Sequence, residues 1–309
     1  MRAQVNAGYG DASLLRPTTL PRPVPGEGEL LVRTLFAGVN HVDWQIREGW
    51  FRTPGPARFP FVPGWDVCGV VEQAAGRFRV GDLIFAYCRS EADLHGDGAY
   101  AEYLKVRADS CAHAPTGVAP EQLSVLPLVC LTAVQAAEAA QLPPGARVLL
   151  SGANGAVGRQ LLAFLVRQGH SVIAAAAPQH HGSLAEAGAQ QVVDPRSPDH
   201  LRETAGAHAL IDCGVGFDVP AAARLLVPGG RFVSIVGPPD EKQAAQAGVS
   251  AVHVFSRPDG ARLQEVAALI EDGRIPLPRV EVLDLEEAAL AQEKVRGGAE
   301  NRYCLSPAR

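Results

Sequence analysis

Hydrophobic positions change their rhythm along this chain. Up to about residue 115, short apolar runs at Leu30 to Phe36, Val67 to Glu72, Asp82 to Ala86 and Tyr100 to Val106 are punctuated by Pro21, Pro23, Pro25, Gly26, Pro54, Pro56, Pro60, Pro63 and Gly64. Short runs separated by turn-forming residues predict a compact, mostly β unit. From about Pro120, alanine-rich stretches with helical spacing (128–141, 159–167, 184–187, 221–226) alternate with short apolar runs at 148–151, 172–176, 191–193, 209–212 and 231–236. That alternation predicts an α/β fold with a doubly wound parallel sheet. Phe232 to Gly237 is its expected fifth strand, and the stretch around Val252 to Phe255 a sixth. Residues 259–272 set Leu263, Val266, Ala267 and Ile270 on one helical face and stop at Gly273. Beyond Pro276 come an extended run (Val280 to Leu285), a helix (Glu286 to Arg296) and a short strand (Tyr303 to Leu305). This tail is too short to bury a core and is expected to pack back on the first unit. The expected division is therefore 1–121, completed by 254–309, and 122–253.

One stretch bears directly on chemistry. The apolar run Val148 to Ser151 ends in Gly152-Ala153-Asn154-Gly155-Ala156-Val157-Gly158, and an amphipathic stretch follows to Arg167. Strand, glycine turn and helix in succession let the backbone approach a pyrophosphate, whose charge the free N–H groups at a helix start accept. The spacing is Gly-x-x-Gly-x-x-Gly, so the turn alone also fits a connection that binds nothing; a second strand beginning just after Gly169 supplies the expected dinucleotide context. An acidic residue at the end of that second strand would favour an unphosphorylated ribose. Here the strand closes as Ala174-Ala175-Ala176-Ala177, followed by Pro178-Gln179-His180-His181. With no carboxylate to repel a 2′-phosphate, NADPH is the expected cofactor. Gln179, His180 or His181 is the expected phosphate contact, with Arg196 adding charge.

Composition narrows the classes. The chain has 309 residues, 47% of them hydrophobic, which suits about two domains with large cores. A net charge of −5 gives no footprint for nucleic acid or an anionic membrane. No apolar run is long enough to span a bilayer, and the N-terminus lacks the apolar core of a secretory signal, so a cytoplasmic location is expected. The six cysteines are scattered without a C-x-x-C pair, which speaks against structural zinc and for buried free thiols.

Several motifs together resemble a known family. Ala37-Gly38-Val39-Asn40-His41-Val42-Asp43, Ile46 to Gly49, Phe61-Val62-Pro63-Gly64-Trp65-Asp66, Val80-Gly81-Asp82 and Gly98 to Tyr103 are similar to the N-terminal half of medium-chain dehydrogenase/reductases. Leu131-Thr132-Ala133, Pro228 to Arg231 and Arg257 to Gly260 continue the likeness over nearly the whole chain. The resemblance implies a GroES-like catalytic domain and a Rossmann coenzyme domain. Zinc-dependent alcohol dehydrogenases of this superfamily place a Cys ligand where Asn40 stands, His-Glu where Trp65-Asp66 stand, and a further Cys near Leu128. Neither asparagine nor indole is a credible zinc ligand, so the resemblance points to the zinc-independent, quinone oxidoreductase-like branch, with no metal.

Without a Lewis acid, hydride must go to an acceptor that is already electrophilic: a quinone or an α,β-unsaturated carbonyl. The resemblance places Asn40 near the nicotinamide or the substrate carbonyl, where its amide would donate to a developing oxyanion; capping the following helical turn is its alternative. Asp43 shapes the site or acts as a structural carboxylate. Arg47 steers the acceptor or forms a surface ion pair. His41 is expected to point away. Trp50, Phe51, Phe59 and Phe61 would make an aromatic pocket mouth, or in part core. Phe51 stands where related enoyl-thioester reductases carry a proton-donating tyrosine. Thr132, the strand ends Cys213-Gly214 and Val236-Gly237, and Arg302 near the C-terminus complete the expected cofactor contacts. Substrate choice is expected to lie in the loops at 44–62 and 238–256. The resemblance also implies a homodimer through the edge of the coenzyme-domain sheet. A specialised-pathway enoyl reductase or dehydrogenase, and an NADPH-binding protein without catalysis, are the competing readings.

Overall fold

The computed structural model describes residues 1–52, 58–89, 94–197, 202–214, 216–298 and 301–307. Pro54 and Pro56, and the part of the 44–62 loop at 53–57, lie outside the described residues. The chain forms two units, Met1–Leu128 with Arg257–Arg309, and Val129–Ser256.

The first unit opens with an antiparallel hairpin, β1 (Arg2–Asn6) and β2 (Leu15–Thr19). β3 (Glu29–Val39) runs into helix α1 (His41–Glu48), followed by β4 (Asp66–Gln73), β5 (Leu83–Tyr87), β6 (Tyr103–Arg107), β7 (Cys111–His113) and the short helix α2 (Pro120–Leu123). β3 is the long central strand because residues 30–32 and 37–39 are buried against both neighbours, and it pairs with β4 and with β6. The Tyr100 to Glu102 part of the expected strand is irregular. Gly98 lies hard against the Pro63 and Gly64 carbonyls, and Tyr100 N–H donates to Pro63, which takes these residues off the ladder.

The second unit begins in helix α3 (Pro127–Ala139) and alternates strand and helix: β8 (Arg147–Ser151), α4 (Ala156–Arg167), β9 (Ser171–Ala175), α5 (His181–Glu186), β10 (Gln191–Val193), β11 (Ala207–Asp212), α6 (Val219–Ala223), β12 (Leu226–Ser234), α7 (Glu241–Gln246) and β13 (Ser250–His253). Its sheet order is β10-β9-β8-β11-β12-β13, every pairing parallel. This is the doubly wound arrangement, reversing direction beside β8, where such sheets bind ligands at their carboxyl edge. The fifth strand ends at Ser234 rather than Gly237, because the Ser234 hydroxyl accepts the Val236 and Gly237 N–H groups and turns the chain out.

The chain then returns to the first unit as α8 (Gly260–Glu271), β14 (Val280–Asp284), α9 (Ala288–Arg296) and β15 (Arg302–Ser306). β15 pairs antiparallel with β3 and parallel with β14, so the tail completes the first sheet. The boundaries fall at 128/129 and 256/257, beyond the expected 121/122 and 253/254. Residues 122–128 stay with the first unit because Leu128 N–H donates to Asp66 and the Ser124 carbonyl packs under Gly38, where no side chain fits. Among the described residues no helix is long and apolar enough to cross a membrane.

Candidate active site

The glycine turn follows β8. Gly152 takes φ +67°, a conformation that costs glycine little. A Cβ there would sit 2.9 Å from the Cys213 carbonyl carbon and 3.0 Å from the Gly214 nitrogen, so the ends of β8 and β11 approach as closely as backbone allows. Gly158 packs the first turn of α4 onto the turn in the same way. The result is a cavity of about 290 Å³ lined by Gly152, Asn154, Gly155, Ala175, Ala176, Ala177, Pro195, Cys213 and Gly214. Seven of the expected cofactor residues meet in it. Ala156 and Val157 open α4 directly beyond Gly155, and Ala153 lies buried beneath, its N–H donating to Ala175.

A buried carboxylate that sequence reasoning missed holds this loop in shape. Asp212 Oδ1 accepts from Ser151 Oγ (2.8 Å) and Gly214 N–H (3.1 Å), and Oδ2 accepts from the Gly216 and Phe217 N–H groups (both 2.8 Å). Four donors on one carboxylate fix the path after β11. The available clue was a carboxylate closing the apolar run Ala209-Leu210-Ile211.

The expected phosphate contacts are distributed unevenly. His181 faces the end of β9, its Nε2 3.0 Å from the Ala176 carbonyl oxygen, and His180 is half-buried just before it, with Gln179 exposed. Arg196 lies next to Pro195, which lines the cavity, and is paired on its own loop. Its N–H and Nε bind Asp194 Oδ1 (both 3.0 Å) and its Nη2 binds Oδ2 (2.9 Å), so the guanidinium is closed on its own loop. Those hydrogen bonds hold the Asp194 carboxyl down at about 2. Asp194, two residues from Arg196, was not anticipated as its partner. Thr132, whose hydroxyl donates to Ser256 Oγ at 2.7 Å, and Val236 and Gly237 are not among the residues lining the cavity.

The first unit holds a separate polar centre. Asn40 ends β3 and caps α1, and it is buried with Asp43, Asp66 and Arg47. The Asn40 backbone N–H donates to Asp43 Oδ2 at 2.7 Å. The Asn40 Nδ2 group donates to Asp66 Oδ2 at 2.9 Å, and Arg302 Nη2 donates to Asn40 Oδ1 at 2.6 Å. Asp66 Oδ1 accepts Leu128 N–H at 2.9 Å. Asn40 and Leu128, two of the positions where zinc-dependent relatives were expected to carry ligands, therefore meet on the carboxyl group of Asp66, the neighbour of the third, Trp65. Asp43 also accepts from Tyr100 Oη (3.1 Å) and Gly64 N–H (3.2 Å). Burial pushes the Asp66 carboxyl up to about 8 against the opposing pull of Asn40, Leu128 and Arg302. It pushes Asp43 up to about 6 against Asn40 N–H, Tyr100 and Arg89. Tyr100 and the role of Asp66 were not foreseen, since both depend on partners distant in sequence.

One further expectation changes, and two residue groups gain defined partners. Arg47 neither steers an acceptor nor sits at the surface: it is 1% exposed, donating to Gln292 Oε1 (2.9 Å), the Gly10 carbonyl (2.9 Å) and Glu293 Oε1 (2.7 Å), which ties α1 to α9. Arg302, expected at the cofactor, is turned onto Asn40. The aromatic residues split: Phe59 meets Tyr9 and His95 edge-on, Phe61 meets His95 edge-on and Phe59 at a tilt, whereas Trp50 is exposed and meets Trp44 edge-on. His41, whose Nδ1 accepts from Trp44 Nε1 at 3.3 Å, is likewise engaged with that tryptophan. Among the described residues no group of three or more His, Cys, Asp or Glu side chains is placed to hold a metal ion.

A parallel sheet with this cavity at its reversal point, joined to a β unit carrying a buried Asn–Asp–Arg centre, defines the class of two-unit dinucleotide-binding proteins. Residues 26–116 match the alcohol dehydrogenase GroES-like domain family, and residues 187–301 the zinc-binding dehydrogenase family. A chloroplastic quinone-oxidoreductase of Triphysaria versicolor is 31% identical over 210 residues, 64% of this chain and 62% of its own length. The chain thus spans somewhat less than two thirds of that relative. The quinone oxidoreductase of Coxiella burnetii has the same fold, with a TM-score of 0.87 at 22% identity over 99% of both chains. A mycobacterial protein complexed with NADPH gives 0.84 at 25% identity, over 99% of this chain and 100% of that one. Over those two stretches the chain matches the domain families of alcohol and zinc-binding dehydrogenases, and it is similar in sequence to quinone oxidoreductases.

Proposed function

We propose that this protein is an NADPH-dependent reductase that transfers hydride, without a metal, to a quinone or an α,β-unsaturated carbonyl. The observation that carries the metal-free reading is the closed network at Asn40. A carboxamide and a single carboxylate make a poor zinc donor set. Both ends of that carboxamide are engaged, and a guanidinium 2.6 Å from its oxygen supplies positive charge where a dication would otherwise have to bind. An acceptor reduced without a Lewis acid must be electrophilic in its ground state.

The cavity beside β8 fits a dinucleotide. Its glycines let the backbone of β8, the turn and β11 close around it, and its lining carries no carboxylate or ammonium group. Gly152, Asn154 and Gly155 would hold the phosphates, and Ala175 to Ala177 the adenosine ribose. The absence of a carboxylate at the end of β9, with His180 and His181 beside it, supports the phosphorylated cofactor, as does the mycobacterial relative that binds NADPH. When bound, nicotinamide supplies the hydride. Asn40 orients the acceptor carbonyl, and Asp43 fixes the Asn40 backbone. Phe51 has no hydroxyl to donate, so the final proton comes from water, which suits a quinone better than an enoyl thioester. β13, an exposed edge of the sheet, supports assembly as a homodimer.

The test is NADPH oxidation with a model benzoquinone and a simple enone, with and without chelator. Turnover with at least one acceptor, unchanged by chelator, is expected. If NADPH binds and neither acceptor class turns over, the proposal fails; if chelator abolishes turnover, its metal-free part fails.

A further inference from the structure

The centre around Asn40 is built more tightly than a helix cap requires. Four segments distant in sequence converge on it: the end of β3 with Asn40, the start of β4 with Asp66, the start of β15 with Arg302, and the peptide N–H of Leu128. The main chain of Asn40 is pinned by Asp43, which is itself held by Tyr100 and Gly64. The two ends of a carboxamide have nearly the same shape, so packing alone cannot choose between its two orientations. Here the cation makes the choice. Oδ1 faces the Arg302 guanidinium at 2.6 Å, and Nδ2 faces Asp66 Oδ2 at 2.9 Å. A flip would set the amide hydrogens against the donors of the guanidinium. The other oxygen of Asp66 accepts from Leu128 N–H, so the carboxyl group has a fixed place from which to accept from Nδ2.

We propose that Asp66 and Arg302 are positioning residues that lock the Asn40 carboxamide with Nδ2 toward Asp66 and Oδ1 toward Arg302, so that the second Nδ2 hydrogen is the donor offered to the acceptor carbonyl. An amide nitrogen carries two hydrogens and Asp66 uses one. The guanidinium accordingly serves the acceptor through Asn40 and is not a cofactor ligand. This inference rests on the reductase reading, and its test separates the two.

The full chain is compared with Asp66→Asn, Arg302→Gln and Arg302→Lys for NADPH affinity by fluorescence titration, for kcat and KM with a benzoquinone, and for thermal midpoint. Asp66→Asn and Arg302→Gln are expected to lower kcat about 10- to 100-fold, as loss of one oriented donor does. The NADPH Kd should stay within about threefold, because both residues are assigned to act through Asn40. Arg302→Lys keeps a cationic donor and should recover most of kcat. If Arg302→Gln weakens NADPH binding tenfold or more with kcat unchanged, Arg302 is a cofactor ligand and the proposal is overturned. Should the variants unfold, or the native enzyme reduce no quinone, the side-chain amide of Asn40 decides by ¹⁵N NMR of the native chain. A single pair of resonances, protected from solvent exchange, supports the lock even where the reductase reading has failed. Two interconverting sets, or rapid exchange, overturn it.

Discussion

The fit of α4 against the glycine turn gives a sharp prediction. In Gly158→Ala the new methyl would lie 2.8 Å from the Ala153 Cα and 2.9 Å from its carbonyl carbon, and closer still to the Gly152 carbonyl oxygen. Ordinary contact begins at 3.4 Å, and all three neighbours are backbone, so none can rotate away. The turn must retreat by roughly half an ångström or more, an overpacking that costs about 1–3 kcal/mol. The helix propensity of alanine returns about 1 kcal/mol, so the net loss of stability is modest, about 0–2 kcal/mol. Binding suffers more. A backbone N–H on a phosphate contributes about 1.5–3 kcal/mol, and displacing one such donor raises the NADPH Kd about 10- to 100-fold. Gly182→Ala is the control: it lies in α5, has no positive φ, and a Cβ there meets nothing within 4 Å. It should gain up to about 1 kcal/mol and leave Kd unchanged. Urea midpoints and fluorescence titration of both variants suffice. A Gly158→Ala protein that binds NADPH within twofold of the parent would refute the role assigned to this packing.

Three other outcomes follow from the same geometry. Burial raises Asp43 to about 6 and Asp66 to about 8, so the native state holds protons that the unfolded chain has released above about pH 4; this contribution to stability is complete below that point and is lost as pH rises through 6 and 8. Urea midpoints should therefore fall between pH 5 and 8.5, and Asp66→Asn should flatten the upper part of the fall; parallel declines in the two proteins would exclude Asp66 as the cause. Arg47→Met removes a guanidinium with three hydrogen bonds and should cost about 3 kcal/mol without changing the NADPH Kd; unchanged stability with weakened acceptor kinetics would restore a steering role. Arg196→Gln should alter the ratio of NADPH to NADH affinities less than about threefold, because Asp194 already occupies its charge and exposed pairs contribute little; a tenfold change would show that the pair opens for the 2′-phosphate.

The features legible in the sequence were those written within a dozen residues. Alternating apolar runs and helical faces marked the six parallel strands, because a strand buried on both sides must be apolar throughout. Gly152, Gly155 and Gly158 marked the turn, because only a residue without Cβ allows β8, α4 and β11 to approach so closely. Gly152, Asn154 and Gly155 from that pattern line one cavity, together with Ala176, Ala177, Cys213 and Gly214 from the expected strand ends. What only the tertiary structure decided is which charged groups meet. Arg302 lies 262 residues from Asn40, and the two touch because β15 pairs with β3. Arg47 reads as a surface cation until α9 closes over it, and Asp66 as a strand residue until Asn40, Leu128 and Arg302 gather around it. Hydrophobic period and turn chemistry are local properties of the chain. The partner of a buried charge is set by the register of strands joined across its whole length.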